Sequence, residues 1–280
     1  MQKNSNQTTV DWYIPEFGII FRVKRKILEK QTKYQKIEIY ETEKFGKVLF
    51  IDGAVQSVEK GEESYHEVLV HPALFAHPSP ERVLIIGGGE GATLREVLKH
   101  PVKEVKMVDI DEEMIKVAKE YLKFDRGAFE DERAELIIED GLKYVKEEKG
   151  KYDIIIVDAT DPGATSHPLY TEEFYSLCYE KMTQDSIFIT QGGNCFFLTP
   201  EKLVEIYKKM KSVFDKVKIY SFPIVGLVAG WSFISGIRGN IEIEKNFPMR
   251  ENIELKYFNP EKQKCLFSLP LSFEKLLEAD

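Results

Sequence analysis

An α/β fold, with a parallel doubly wound sheet following a small antiparallel β domain, is predicted by three features of the sequence. The stretch VLIIGGGEGATLREVL at 83–98 starts as a continuous apolar run, breaks at glycines and resumes with helical spacing at Leu94, Val97 and Leu98. A strand buried on both faces reads as such a run. Strand, glycine turn and helix in that order open a Rossmann-type sheet. From residue 81 onward, apolar runs alternate with helix-like stretches, which is the rhythm of parallel βαβ units. Residues 12–60 instead alternate polar and apolar between turn signals, as half-buried antiparallel strands do. We therefore divide the chain into a β domain over 1–61 and a Rossmann-like unit over 62–280.

The elements follow in order. KIEIYET at 36–42 is a half-buried strand, residues 44–46 are a turn and VLFI at 48–51 is a second strand. Asp52-Gly53 is a hairpin signal, and residues 54–59 are the returning strand. A helix over 62–75 is closed by His77-Pro78-Ser79-Pro80. VKMV at 105–108 is a strand ending at Asp109, and 112–122 is a helix with Ile115, Ala118 and Leu122 on one face. ELII at 135–138 ends at Glu139-Asp140-Gly141, ahead of a short helix over 142–148. YDIIIV at 152–157 is a buried strand ending at Asp158. A loop leads to a helix over 171–182, a strand over 186–190 ending at Gln191, and a helix over 200–214. Residues 217–222 and 231–235 read as a closing antiparallel pair, and the tail after Gly239 carries little pattern.

With 280 residues there is room for one large domain and a smaller appendage. Hydrophobic content of 43% and charged content of 31% are ordinary for a soluble globular protein. No apolar run is long enough to span a membrane, and the polar N-terminus lacks a signal-peptide core, so a cytoplasmic protein is expected. A net charge of −8 disfavours nucleic acid and suits cationic small molecules. Cys178, Cys195 and Cys265 are scattered and odd in number, which fits neither a disulfide framework nor a zinc site.

In a doubly wound sheet, ligands bind at the carboxyl ends of the strands. Glu90, Asp109, Asp111, Asp140, Asp158, Asp161 and Gln191 gather there. Gly87, Gly89 and Gly91 suit close approach of a ligand, and equally a tight strand-to-helix turn. Glu90 inside that loop would repel a pyrophosphate and suits a cationic ligand. Asp109, 18 residues after Gly91, is placed to bind ribose hydroxyls. Asp111 suits a helix cap, and Asp140 suits either a cap or the amino group of adenine. Asp158 and Asp161 form a D-x-x-D pair fit to bind an amine, with one carboxyl raised in pKa for base work; a metal is the rival ligand. His66, His71 and His77 do not share a helical face, which speaks against a metal cluster. Tyr65 and Trp231 read as core aromatics or as walls of a slot for an aliphatic amine.

Together these motifs resemble the polyamine aminopropyltransferases, the spermidine synthase family. The resemblance rests on YQKI at 34–37, SYHE at 64–67, HPSP at 77–80, GGGEGATLREVLKH at 87–100, DG at 140–141, DATDP at 158–162, YTEEFY at 170–175 and TQ at 190–191. It covers nearly the whole chain and implies a Rossmann-like sheet of the class I methyltransferase type. It also implies a reaction, in which decarboxylated S-adenosylmethionine passes its aminopropyl group to an amine and leaves as 5′-methylthioadenosine. The donor is then a co-substrate, and no metal or other cofactor is expected. Donor contacts map onto Gln35, Gly87, Gly89, Glu90, Gly91, Asp109, Asp140 and Gly141, and the catalytic base onto Asp158. Acceptor contacts map onto Tyr65, His66, Asp161, Gln191 and Trp231. A homodimer or homotetramer is implied, with no nucleic-acid or membrane partner.

The match has departures. Spermidine synthases commonly carry Asp where this chain has Glu90 and Glu where it has Asp109. Those two residues, with VHPAL at 70–74, look like the thermospermine synthase branch. The loop over 162–170 has spermidine-synthase length, and Val225 falls where many relatives place a tyrosine against the acceptor, which leaves more room there. Putrescine giving spermidine is the expected reaction, with agmatine or spermidine as further acceptors. A thermospermine or spermine synthase acting on spermidine is the alternative within the family. Outside it stand an S-adenosylmethionine-dependent methyltransferase and a non-catalytic binding protein.

Overall fold

Three sheets organise the computed structural model, which describes residues 7–161, 163, 165–193, 198–227, 230–250 and 252–278. The first is an antiparallel hairpin of β1 (Thr8–Ile14) and β2 (Phe17–Arg22). It starts at Thr8, before the expected residue 12, because its inward member is the polar Asp11, 5% exposed, while Trp12 is 63% exposed. That inverted pattern hides the strand from a periodicity count. The second sheet runs β3 (Arg25–Gln31), β4 (Lys36–Glu41), β5 (Lys47–Ile51) and β6 (Ala54–Val58) in sequential antiparallel order. Asp52 and Gly53 both take positive φ, 51° and 84°, as a two-residue hairpin turn requires.

Helix α1 (Glu63–Ala76) follows and is buried along almost its whole length. Pro72 has no N–H to give the carbonyl of Val68; the hydroxyl of Tyr220 donates to it instead, at 3.2 Å.

The third sheet has seven strands. β7 (Arg82–Gly87), β8 (Glu104–Asp109), β9 (Ala134–Ile138), β10 (Tyr152–Asp158) and β11 (Met182–Gly193) are parallel. β12 (Lys216–Pro223) and β13 (Gly230–Arg238) close one edge antiparallel, giving the order β12-β13-β11-β10-β7-β8-β9. Helices α2 (Ala92–Leu98), α3 (Glu112–Val117), α4 (Gly141–Glu147), α5 (Glu172–Glu180), α6 (Pro200–Lys211) and α7 (Leu271–Glu278) complete the unit. The central strands are apolar throughout because both faces are covered. Ile85, Ile154 and Ile156 enter one core with α1 and α2; Leu84, Ile86, Ile155 and Val157 enter the other with α5 and α6.

Three details depart from the sequence reading. β11 begins at Met182, earlier than 186, and its register on β10 jumps between Met182 and Ile187, so the polar residues between them interrupt the pattern without ending the strand. The helix after β8 finishes as a π-turn over Ala118–Leu122. The patternless tail is ordered by tertiary bonds: the Glu67 carboxylate accepts backbone N–H groups from Lys256, Tyr257 and Phe258 at 2.9, 2.8 and 2.9 Å. Among the described residues no helix is long and apolar enough to cross a membrane.

The sheet order positions the site. From β7 the chain moves outward to β8 and β9, then returns to lay β10 on the other side of β7. Strand order reverses there, and the crevice outside those strand ends is where a ligand fits. Asp158 closes β10 directly opposite Gly87 at the end of β7.

Candidate active site

Gly87 takes φ 84°, and a Cβ there would lie 2.2 Å from the Asp158 carbonyl oxygen, so only glycine fits. The next N–H, from Gly88, donates to that same carbonyl at 2.8 Å. The glycine turn is thereby fastened to β10, with the Asp158 carboxyl at its mouth. Thr93 Oγ1, from the first turn of α2, donates to Asp158 Oδ2 at 2.6 Å. Tyr65, from α1, donates its hydroxyl to Oδ1 at 3.1 Å. Burial raises the Asp158 pKa; the charge of His66 and the two hydroxyls oppose this, and the carboxyl stays above its ordinary range.

At the end of β8, Asp109 is 9% exposed and accepts the N–H of Asp111 at 2.8 Å. Burial pushes its pKa up to about 6. Asp111 caps α3 by accepting from the N–H of Glu113, and its other oxygen accepts from Gln35 Nε2 at 2.9 Å, so the β3–β4 turn is drawn onto the cavity. Asp140 caps α4 through the N–H of Lys143 at 2.9 Å and stands exposed at the rim beside Gly141.

The Glu90 carboxylate is already engaged on both oxygens. Oε1 meets His66 Nε2 at 2.5 Å, and Oε2 accepts from Ser57 Oγ of β6 at 2.7 Å. His66 uses its other nitrogen on Glu62, at 2.8 Å. Burial opposes a charge on His66, but the flanking carboxylates of Glu90 and Glu62 outweigh it and raise its pKa well above the usual histidine range. Burial likewise opposes charge on Glu62, yet His66 and Arg95 hold its pKa down at about 2. His66 therefore has no free nitrogen for an acceptor amine; its visible work is to hold Glu90.

Beyond Asp158, Asp161 Oδ1 accepts from Gln191 Nε2 at 2.9 Å, and burial raises the Asp161 pKa. Gln191 Nε2 also reaches the Tyr170 hydroxyl at 3.0 Å and the Ala159 carbonyl at 3.3 Å. Gln191 Oε1 and Trp231 Nε1 are buried and have no hydrogen-bond partner among the described residues. The Tyr65 ring packs on Phe233 with centroids 5.4 Å apart.

A cavity of about 520 Å³ joins these groups, a volume suited to a nucleoside-sized ligand together with a small amine. Every residue to which the sequence assigns a donor, acceptor or catalytic contact lines it except Gly91. Gly91 starts α2, where a Cβ would lie 2.5 Å from the Phe129 ring, so its smallness serves packing. Val225, expected to widen the acceptor end, does not line the cavity. Its side chain packs onto the β domain beside Gly61, its N–H bonds Ser64 Oγ at 3.0 Å, and Leu227 forms the wall instead. Among the described residues no group of three or more His, Cys, Asp or Glu side chains is placed to hold a metal ion.

Residues 62–246 match the model of the spermine/spermidine synthase domain, and residues 7–59 match that of the spermidine synthase tetramerisation domain. The chain belongs to the spermine/spermidine synthase family. It is 49% identical over 271 residues to a polyamine aminopropyltransferase of Thermococcus onnurineus, covering 96% of each chain. It is 46% identical over 277 residues to one from Thermococcus kodakarensis, again with 96% of each covered. Among solved structures, a spermidine synthase in complex with the transition state analogue AdoDATO superposes with TM-score 0.94 at 35% identity, covering 100% of this chain and 97% of that one. The spermidine synthase from Thermotoga maritima superposes with TM-score 0.92, also at 35% identity with the same coverage. The chain is an aminopropyltransferase.

Within this family site, sequence reasoning missed Thr93 and Tyr170, which bond the D-x-x-D carboxylate and the glutamine, and Asp11, Trp12 and Tyr13 of β1, which line the cavity. Thr93 sits inside the quoted glycine motif, and its position in the first helical turn was a usable signal. Asp11 had none, because its inward direction is set by the pairing of β1 with β2.

Proposed function

We propose that this aminopropyltransferase takes decarboxylated S-adenosylmethionine as donor and putrescine as its main acceptor, giving spermidine and 5′-methylthioadenosine, with agmatine or spermidine as further acceptors. The observation that carries this is the Asp158 carboxyl, raised in pKa and set where the glycine turn meets the strand-order reversal. Its neighbour Asp161 extends the acidic wall. The relatives' names and the AdoDATO complex support the same donor chemistry.

A protonated amine has no lone pair and cannot attack. Asp158 takes the proton as the nitrogen approaches, and a raised pKa brings this base closer to its working pH. The nitrogen lone pair forms the new bond to the methylene carbon beside sulfonium. The carbon–sulfur bond breaks, its electrons return to sulfur, and a neutral thioether departs. Holding both reactants in one cavity supplies much of the remaining acceleration. Asp109 and Gln35 serve the donor's ribose side, Asp140 with Gly141 the adenine side, and Gly87 and Gly89 let the donor lie against backbone. Glu90, held by His66, faces the donor's amine end. Tyr65, Asp161, Gln191 and Trp231 receive the acceptor. A donor that kept its carboxylate would meet the like charges of Glu90 and Asp158 at its amine end, which favours the decarboxylated form.

The tetramerisation match over 7–59 supports a homotetramer built on the N-terminal β domain, and Trp12, Phe17 and Ile20 stand exposed on its hairpin. We divide the chain at 61/62, between that domain and the catalytic unit. The test is purified protein with labelled decarboxylated donor and a panel of amines, products identified by mass. Methylthioadenosine together with an amine grown by one aminopropyl group is expected. Methyl transfer from S-adenosylmethionine, or donor binding without turnover on any amine, would refute the reading.

A further inference from the structure

One wall of the cavity carries a charge that the reaction above leaves unused. Asp11 of β1 is 5% exposed and lines the cavity, while its strand neighbours are half-buried or exposed. Its Oδ2 accepts the Val55 N–H at 3.1 Å, which ties β1 to β6. No cation among the described residues pairs with it, and the one charged neighbour that acts on it is Asp161, a like charge. A carboxylate buried beside another carboxylate, with a single N–H for compensation, is unfavourable unless a cation joins it. A second observation points to the same missing partner. Among the described residues no donor reaches the buried Gln191 Oε1, and its Nε2 is held on Asp161, Tyr170 and Ala159. Asp11, Asp158, Asp161 and Gln191 all line this one cavity.

We infer that Asp11 receives the far cation of the acceptor, so that the enzyme selects molecules bearing a second ammonium or guanidinium at the end remote from the reacting amine. This rests on the aminopropyl-transfer reading. Asp158 and Asp161 hold the nitrogen being alkylated, the methylenes cross the cavity, and the remote cation completes the charge that β1 buries. Asp11 is thus a specificity residue supplied by the N-terminal hairpin, which gives that hairpin a part in substrate choice beyond assembly.

The test compares putrescine with n-butylamine, which has the same carbon chain and one cation. Asp11→Asn keeps a carbonyl oxygen for the Val55 N–H, so the fold is retained, with methylthioadenosine binding as the check. Loss of a charge-assisted hydrogen bond should lower kcat/KM for putrescine about 10–100-fold, chiefly through KM, and leave butylamine within about threefold. Equal losses on both amines, or an undiminished preference for putrescine, would overturn the inference. Should Asp11→Asn lose methylthioadenosine binding, Asp11→Glu decides: its carboxylate reaches one methylene further into the cavity, so the preferred diamine must become shorter, and an unchanged chain-length profile overturns the idea. If the wild type alkylates no amine at all, the reaction reading fails by itself. Calorimetric titration of the two amines into the methylthioadenosine-loaded protein then decides, with a dication preference absent from Asp11→Asn supporting the role and equal preference in both proteins refuting it.

Discussion

Asp109 should trade stability for binding, and the trade can be measured by Asp109→Asn. Its carboxyl is buried at the end of β8 and its pKa rises from the ordinary 3.8 to about 6. The native state therefore holds the proton more tightly than the unfolded chain does. The penalty for the ionised form is fully present above pH 6, fades between pH 6 and 3.8, and is absent below that. At 1.36 kcal/mol per pH unit, the rise corresponds to about 3 kcal/mol at neutral pH. Asparagine keeps an oxygen for the Asp111 N–H but must house an amide in the same space, so a net gain of about 1–2 kcal/mol is expected. For a chain of this length that is a rise of roughly 2–8 °C in the Tm of the ligand-free protein at pH 8, shrinking towards nothing at pH 4.5. Donor-site affinity should move the other way, with methylthioadenosine binding weakened about 10–100-fold by loss of a charged acceptor for the ribose hydroxyls. Thermal melts at both pH values and calorimetry measure the two arms. A lower Tm at pH 8, or a Tm difference that ignores pH, would refute the burial argument; unchanged affinity would refute the ribose role.

Other outcomes follow from the same geometry. Asp158→Asn should fold, because the Thr93 and Tyr65 hydroxyls can turn to suit an amide, and should lose about 10²–10⁴-fold in rate; the wild-type rate should rise with pH through the Asp158 titration and the variant should lack that limb. More than half the wild-type rate at neutral pH would remove Asp158 from the base role. His66→Gln leaves Glu62 and Glu90 without their shared cation and should cost about 3 kcal/mol. The His66 contribution is complete below pH 6.5 and is lost as pH climbs through its raised pKa, so melts from pH 7 to 10 should show an alkaline decline that the variant lacks. Tyr220→Phe orphans the Val68 carbonyl and should cost about 1–3 kcal/mol without changing KM, and the cost should shrink in a Pro72→Ala background, where the restored N–H takes that carbonyl.

The face that lines the cavity was legible because it is local. The apolar run before Gly87 and the helical spacing after Gly91 describe a strand–turn–helix whose geometry depends on a few consecutive residues. Asp109, Asp140 and Asp158 close successive strands, and in a parallel sheet successive strand ends lie on one edge. Those residues were readable for the same reason that Gly87 was: sequence neighbours decided their place. Val225 was not readable in this way. Its site depends on how the β12–β13 connection packs against the β domain, and that contact joins residues near 225 to residues near 60.

The sequence by itself determined the class of fold, the order of strands and helices from residue 36 to residue 238, and the set of acids and amides at the strand ends, because periodicity and turn chemistry act over a few residues. Only the tertiary structure decided what those groups do to one another. It closed Glu90 onto His66 and Ser57, a bond network that draws on three separate segments of the chain. It raised Asp109 and Asp158 by burying them, and it turned Asp11 inward through strand pairing and the Val55 N–H. Burial and long-range charge depend on atoms far apart in the chain and close in space, and no local pattern records that distance.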